Sequence, residues 1–183
     1  MTDWMLEAVC KDLQAFNSVT FGALRMSINL SPSYLDRGNF GDKLKSALQR
    51  YALAPGQFEL EVTENICIRN PLAAIEQLSA LRELGVRIAI DDFGTGYSSL
   101  SYLHRLPIHT LKIDRSFVMT IHDDMAPSPV VQAIISVAKG LKLHLVAEGV
   151  ETEVQRRYLA QAGCHTIQGY FYFKPMPQYQ LMA

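Results

Sequence analysis

Six short apolar runs alternate with helical patterns along the chain, and this alternation limits the architectures open to it. The runs are Leu24–Leu30, Gln57–Glu64, residues 86–91, His109–Asp114, Leu143–Glu148 and His165–Gln168. Between them lie helical stretches at 3–17, from Asn39 to about Leu53, from Asn70-Pro71 to about Leu84, at Ser98–Leu103, from Ser128-Pro129 to Lys139, and at Thr152–Ala162. Asp3 is placed to cap the first helix, which would bury Trp4, Leu6, Val9, Leu13 and Phe16. The region after Asp114 is helical and broken around Asp123–Ala126, and Gly140 and Gly163 are the expected stops of the two helices before them. Strands that alternate with helices argue for a parallel sheet with right-handed crossovers. A complete barrel of this type has eight strands in roughly 250 residues. The expectation is therefore an α/β chain of 183 residues forming a (β/α)8 TIM-barrel-like domain, incomplete, without about the first two strands. No linker divides it, so residues 1–183 read as one domain.

Strands buried on both sides should be apolar on both faces. These are apolar on one parity only: Met26, Ile28 and Leu30; Phe58, Leu60 and Val62; Val86, Ile88 and Ile90; Leu111 and Ile113; Leu143, Leu145 and Ala147; Ile167. That face should meet the helices. The other parity should point into the barrel, and its last residue on each strand is Asn29, Glu61, Asp91, Lys112, Glu148 and Gln168. All six are polar and four are charged. In barrels these positions converge on the C-terminal mouth, where active sites sit. Several carboxylates gathered there would each cost several kcal/mol without partners. Divalent cations would remove that cost, and an all-oxygen donor set favours Mg²⁺ or Mn²⁺ over Zn²⁺.

The stretch Asp91-Asp92-Phe93-Gly94-Thr95-Gly96-Tyr97-Ser98-Ser99-Leu100 adds two adjacent carboxylates at a strand end, followed by glycines that allow a sharp turn. The pair fits two neighbouring cations, which could clamp a phosphodiester and activate a water, and it equally fits an Asp-rich turn capping a helix. Glu59 and Arg87 lie deeper on the inward parity and read as a structural ion pair. Lys112 and Glu148 could pair with each other. His144 reads as a hydrogen-bonded core histidine.

The net charge of −1 gives no support for a general DNA or membrane-surface binder. No apolar run approaches the roughly 20 residues that span a bilayer. No signal peptide is visible. Cys10, Cys67 and Cys164 are scattered and fit reduced thiols in a cytoplasmic protein. The tail from Tyr170 onward is aromatic and interrupted by proline, and is expected to pack on the outside.

Six segments in order resemble the EAL-domain family, the cyclic di-GMP phosphodiesterases of bacteria. They are Ser27-Ile28-Asn29-Leu30-Ser31-Pro32, Glu59-Leu60-Glu61-Val62-Thr63-Glu64, Asp91 through Leu100, Leu111-Lys112-Ile113-Asp114, Ala147-Glu148-Gly149-Val150-Glu151 and Gln168-Gly169-Tyr170. The resemblance implies a signalling hydrolase with a two-metal site that converts cyclic di-GMP to linear pGpG. By it, Asn29, Glu61 and Asp91 are metal ligands and Asp92 is a ligand of the second metal. Lys112 resembles the lysine that orients the attacking water, Glu148 the glutamate at the metal-water site, and Gln168 a residue hydrogen-bonding near that water. Glu64 resembles the glutamate that holds the loop after Asp91. That loop resembles the family's dimerisation element, which implies a homodimer or a partner domain. The family's Glu-Ala-Leu has no counterpart here, since Glu7-Ala8-Val9 lies on the first helix. The resemblance therefore implies a weakened first metal site and impaired turnover, with a non-catalytic cyclic di-GMP-binding or dimerising module as the alternative.

Overall fold

The computed structural model describes residues 2–19, 24–35, 38–65, 70–96, 100–122 and 128–181. Among the described residues six strands form a single sheet: β1 Met26–Asn29, β2 Phe58–Thr63, β3 Arg87–Phe93, β4 Thr110–Ile113, β5 His144–Ala147 and β6 Thr166–Ile167. Their spatial order is the chain order and every pairing is parallel. The helices are α1 Thr2–Val19, α2 Pro32–Leu35, α3 Phe40–Arg50, α4 Pro71–Glu83, α5 Leu100–Leu103, α6 Arg115–Val118, α7 Pro129–Gly140, α8 Glu153–Ala162 and α9 Gln178–Leu181. The architecture is a parallel half-barrel, as the strand–helix alternation predicts. Among the described residues no helix is long and apolar enough to cross a membrane.

The parity argument describes the sheet well. Ile28, Leu30, Phe58, Leu60, Val62, Val86, Ile88, Ile90, Leu111, Ile113, Leu145 and Ala147 are all buried, and with Leu78, Val131, Ile135 and Leu159 from the helices they make one core. Each such side chain removed from water contributes about 1.5–3 kcal/mol. The core thus lies on the outer face of the sheet and leaves the inner face for polar side chains.

Helix ends follow local chemistry. Asn70 accepts a hydrogen bond from Ala73 N, with Pro71 at the first helical position. Thr152 and Gln155 cap α8 reciprocally, and Gly163 closes it at φ 95°. Three expectations need correction. Asp3 lies inside α1 rather than capping it, where Lys43 and Tyr34 hydrogen-bond to it across to the next helices. Trp4 is 74% exposed, because the buried stripe of α1 runs through Leu6, Cys10, Leu13 and Phe16. Gly140 is the last residue of α7, and the turn that follows is made by Lys142 at φ 57°. Cys67, Tyr97 to Ser99 and the break at 123–126 lie outside the described residues.

Candidate active site

Four of the six inward strand ends meet at one ammonium group. Lys112 Nζ lies 2.8 Å from Glu61 Oε1, 3.1 Å from Asp91 Oδ1 and 2.5 Å from Glu148 Oε1. Adjacent strands bring them together: β2, β3 and β4 are neighbours, and Glu148 follows β5 directly. Lys112 is only 4% exposed. Burial opposes its charge, but hydrogen bonds to Glu148 and Glu61, together with their charges, outweigh burial and hold its pKa above the ordinary lysine value. Glu148 is raised, first by burial and then by the charges of Asp91 and Glu61, against the pull of Lys112. Lys112 and Glu148 do pair, as the sequence allows, but within a group of four rather than as an isolated bridge.

Asp91 Oδ1 is buried and receives no hydrogen bond. The Lys112 ammonium, 3.1 Å away, is close enough for an ion pair. Asp92 does not simply alternate to the far face. Its φ is 52°, and the register between β3 and β4 shifts between Ile90 and Phe93. This bulge places one carboxylate oxygen each of Asp91, Asp92 and Glu148 within 4.8 Å of one another. Asp92 is raised by burial and by the charges of Asp91 and Asp114. Asp114 bonds to both the backbone and hydroxyl of Ser116, and these bonds outweigh burial to hold it low. Asp114 stands two residues beyond Lys112, past the end of β4, where the strand-end pattern gives it no role.

Asn29 is exposed, in register with Glu61. Gln168 is exposed at the end of β6 and lines the mouth cavity, of about 490 Å³, together with Glu61 and Lys112. Neither side chain makes a hydrogen bond to the four-residue group. Tyr172 and Phe173 line the same cavity, while Phe171 packs against the core, so the tail borders the site instead of lying wholly outside it. Beneath the site, Thr110 donates to Glu59 (2.5 Å), and Arg87 stands 3.5 Å from Glu59 as the expected ion pair. His144 contacts Thr166 (3.1 Å) and is exposed, so it is hydrogen-bonded but not a core residue.

Backbone turns hold these groups in place. Gly94 N donates to Glu64 Oε2 (2.9 Å), tying the loop after Asp92 to the end of β2. After Glu148, Gly149 has φ 67°, and a Cβ there would lie 2.2 Å from Arg115 Cγ. After Gln168, a Cβ on Gly169 would lie 2.2 Å from the Val150 carbonyl oxygen, which only glycine permits.

The donor set suits a divalent cation. Its ligand atoms are all oxygens, one of them is buried and without a hydrogen bond, and three carboxylates outnumber the one ammonium at their centre. Glu61, Asp91, Asp92 and Glu148 would hold such ions, with Asn29 beside Glu61.

The sequence model of the EAL domain matches residues 1–175. The chain belongs to the EAL domain family. It is 44% identical over 177 residues to the cyclic di-GMP phosphodiesterase NbdA of Pseudomonas aeruginosa, covering 97% of this chain and 23% of that protein. The chain thus spans about a quarter of the length of the curated relatives it matches. Among solved structures, the PaMucR phosphodiesterase in complex with c-di-GMP superposes with a TM-score of 0.92 at 40% identity, covering 98% of this chain and 73% of that one. BlrP1 of Klebsiella pneumoniae, in a manganese and cyclic di-GMP complex, gives 0.76 at 32% identity over 94% of this chain and 44% of that one.

Proposed function

We propose that this EAL domain carries the site of a metal-dependent phosphodiesterase that hydrolyses cyclic di-GMP to linear pGpG. The observation that carries the reading is the group at the mouth: Lys112 among Glu61, Asp91 and Glu148, with Asp91 Oδ1 lacking a hydrogen bond and Asp92 brought alongside. The family membership, and the substrate named for NbdA and PaMucR, support the nucleotide. Mg²⁺ or Mn²⁺ is the cation proposed, and the manganese complex of BlrP1 is consistent with it.

The cations, when bound, supply Lewis acidity and a nucleophilic water at neutral pH. The chain supplies the rest. Glu61, Asp91, Asp92 and Glu148 bring the charge that attracts cations, and Asn29 adds a neutral oxygen. Lys112 Nζ donates to groups at the centre of the site and is kept protonated by its carboxylate neighbours, so it can orient a water or steady a phosphate oxygen. Gln168 adds an amide at the cavity wall. Tyr172 and Phe173 offer ring faces along which a base can lie. Hydrolysis adds water across one P–O bond and leaves a phosphate monoester and a free hydroxyl.

We read residues 1–183 as a single partial-barrel domain that works in the cytoplasm, where its nucleotide and its reduced thiols belong. A second copy docking at the loop Asp92 to Ser99 and the helix after it, or a partner domain, completes the proposal. The decisive experiment is chromatographic detection of pGpG from cyclic di-GMP with and without Mn²⁺. Cation-dependent product that Asp91→Asn abolishes is expected. Product formed without a divalent cation, or untouched by Asp91→Asn, would overturn the reading.

A further inference from the structure

A second concave site lies at the other end of the strands. A cavity of about 460 Å³ opens between the end of α4, the turn before β4 and the turn before β5. Its polar walls are Arg82, Arg87, His104, His109, Lys142 and His144, and no carboxylate lines it. This segregation of charge occurs in a chain whose net charge is −1. Among the described residues, no hydrogen bond or ion pair engages the side chains of Arg82, His104 or Lys142. Arg87 Nε is buried and makes no hydrogen bond, its nearest anion being Glu59 Oε1 at 3.5 Å on the barrel side.

His109 is the half-buried histidine of the lining. Its Nδ1 accepts from Ile88 N (3.1 Å), so the ring, when neutral, carries its proton on Nε2 as a donor. Burial, then the charges of Arg82 and Arg87, hold its pKa below the ordinary histidine value. Lys142 is presented by a left-handed backbone turn. Like charges gathered this closely repel one another, and a bound anion would offset that repulsion. Guanidinium groups match the geometry of phosphate oxygens, and the volume falls in the usual range for small-molecule sites. Arg87 and Asp91 are four residues apart on β3, which is about 13 Å along a strand.

We propose that this basic cavity at the N-terminal end of the barrel is an anion site, separate from the mouth, that takes the phosphate group of a small phosphorylated molecule. Calorimetry in metal-free buffer tests it, with inorganic phosphate, pyrophosphate and ADP as probes. The chain is compared with Arg82→Glu/Lys142→Glu and with Lys11→Glu/Lys45→Glu, which makes the same charge change at exposed lysines elsewhere. Asp91→Asn serves as the mouth control. Saturable binding of one probe per chain is expected. Its affinity should fall at least about tenfold in Arg82→Glu/Lys142→Glu and stay within about twofold in the other two variants. ADP or pyrophosphate binding more tightly than inorganic phosphate would assign the site to a phosphorylated molecule, and equal affinities would assign it to free phosphate. Absence of saturable binding, equal losses in both charge-reversal variants, or loss in Asp91→Asn would overturn the proposal. All four altered cations outside the mouth are exposed, so circular dichroism matching the parent should verify the fold.

Discussion

At the scale of single residues, the mouth is a balance between one cation and its carboxylates. Lys112→Met leaves Glu61, Asp91 and Glu148 without their ammonium partner. Breaking a buried ion group in this way costs about 3–5 kcal/mol, and thermal unfolding in metal-free buffer should show the melting temperature falling by several degrees. Asp91→Asn acts in the opposite sense. It removes one of several like charges and keeps the shape, so stability should change by less than about 1 kcal/mol. Cation affinity, read by calorimetry with Mn²⁺, should fall by two orders of magnitude or more, since a ligand matters at least as much as the outer partners whose loss costs about 10–100-fold. His109 gives a pH signature at the barrel's other end. Its pKa is lowered in the folded chain, first by burial, so the unfolded state binds the proton more readily. The stability it contributes is present above its unperturbed value near 6.5 and is lost as pH falls below it. Urea unfolding between pH 7.5 and 5.5 should show a loss no steeper than about 1.4 kcal/mol per pH unit from this one group. His109→Asn, whose Oδ1 can still accept from Ile88 N, should flatten that part of the profile.

At the scale of elements, what matters is how strand ends are turned toward the mouth. β3 runs two residues past Asp91, and its left-handed Asp92 brings a second carboxylate to the side of the first. A non-glycine residue in that conformation costs on the order of 1–2 kcal/mol. The loop that follows is held by the bond from Gly94 N to Glu64, itself 8% exposed. Glu64→Ala should release it: hydrogen exchange at the Gly94 amide should accelerate by one to two orders of magnitude, matching the roughly 1–3 kcal/mol of a lost charge-assisted bond. Unchanged protection would mean that the loop is held by other contacts. The turns after β5 and β6 depend on Gly149 and Gly169, where any Cβ would strike Arg115 or the Val150 carbonyl.

For the whole molecule, the sheet ends at β1 and β6, with no strand beyond either among the described residues. Open edges present unpaired backbone groups and favour pairing or covering. Light scattering at increasing concentration should therefore show self-association. A monomer at all concentrations would argue against the second copy proposed above. The 183-residue chain contains no Glu-Ala-Leu, and its cations would rest on Asn29, Glu61, Asp91, Asp92 and Glu148 alone. Its turnover of cyclic di-GMP should be orders of magnitude slower than that of a relative carrying that segment, measured side by side with saturating Mn²⁺. Equal rates would show the tripeptide to be dispensable. Saturable nucleotide binding without product would favour a cyclic di-GMP-binding module.

Period-two patterning was enough to find the half-barrel, its core face and its mouth, because a strand's side chains alternate strictly and six strands shared one bias. Residue types at strand ends named Glu61, Asp91, Lys112 and Glu148 for the same reason. Alternation fails where the backbone leaves the strand. The bulge at Asp92 and the turn at Lys142 depend on φ angles and register shifts that no local pattern encodes. Trp4 stays exposed, against its helical spacing, because α1 is buried along a stripe that only packing selects. The basic cavity beneath the barrel joins Arg82 from the end of α4 to His104 and Lys142 from two separate turns, and residues so far apart in the chain become one site only when the parallel sheet aligns their strands.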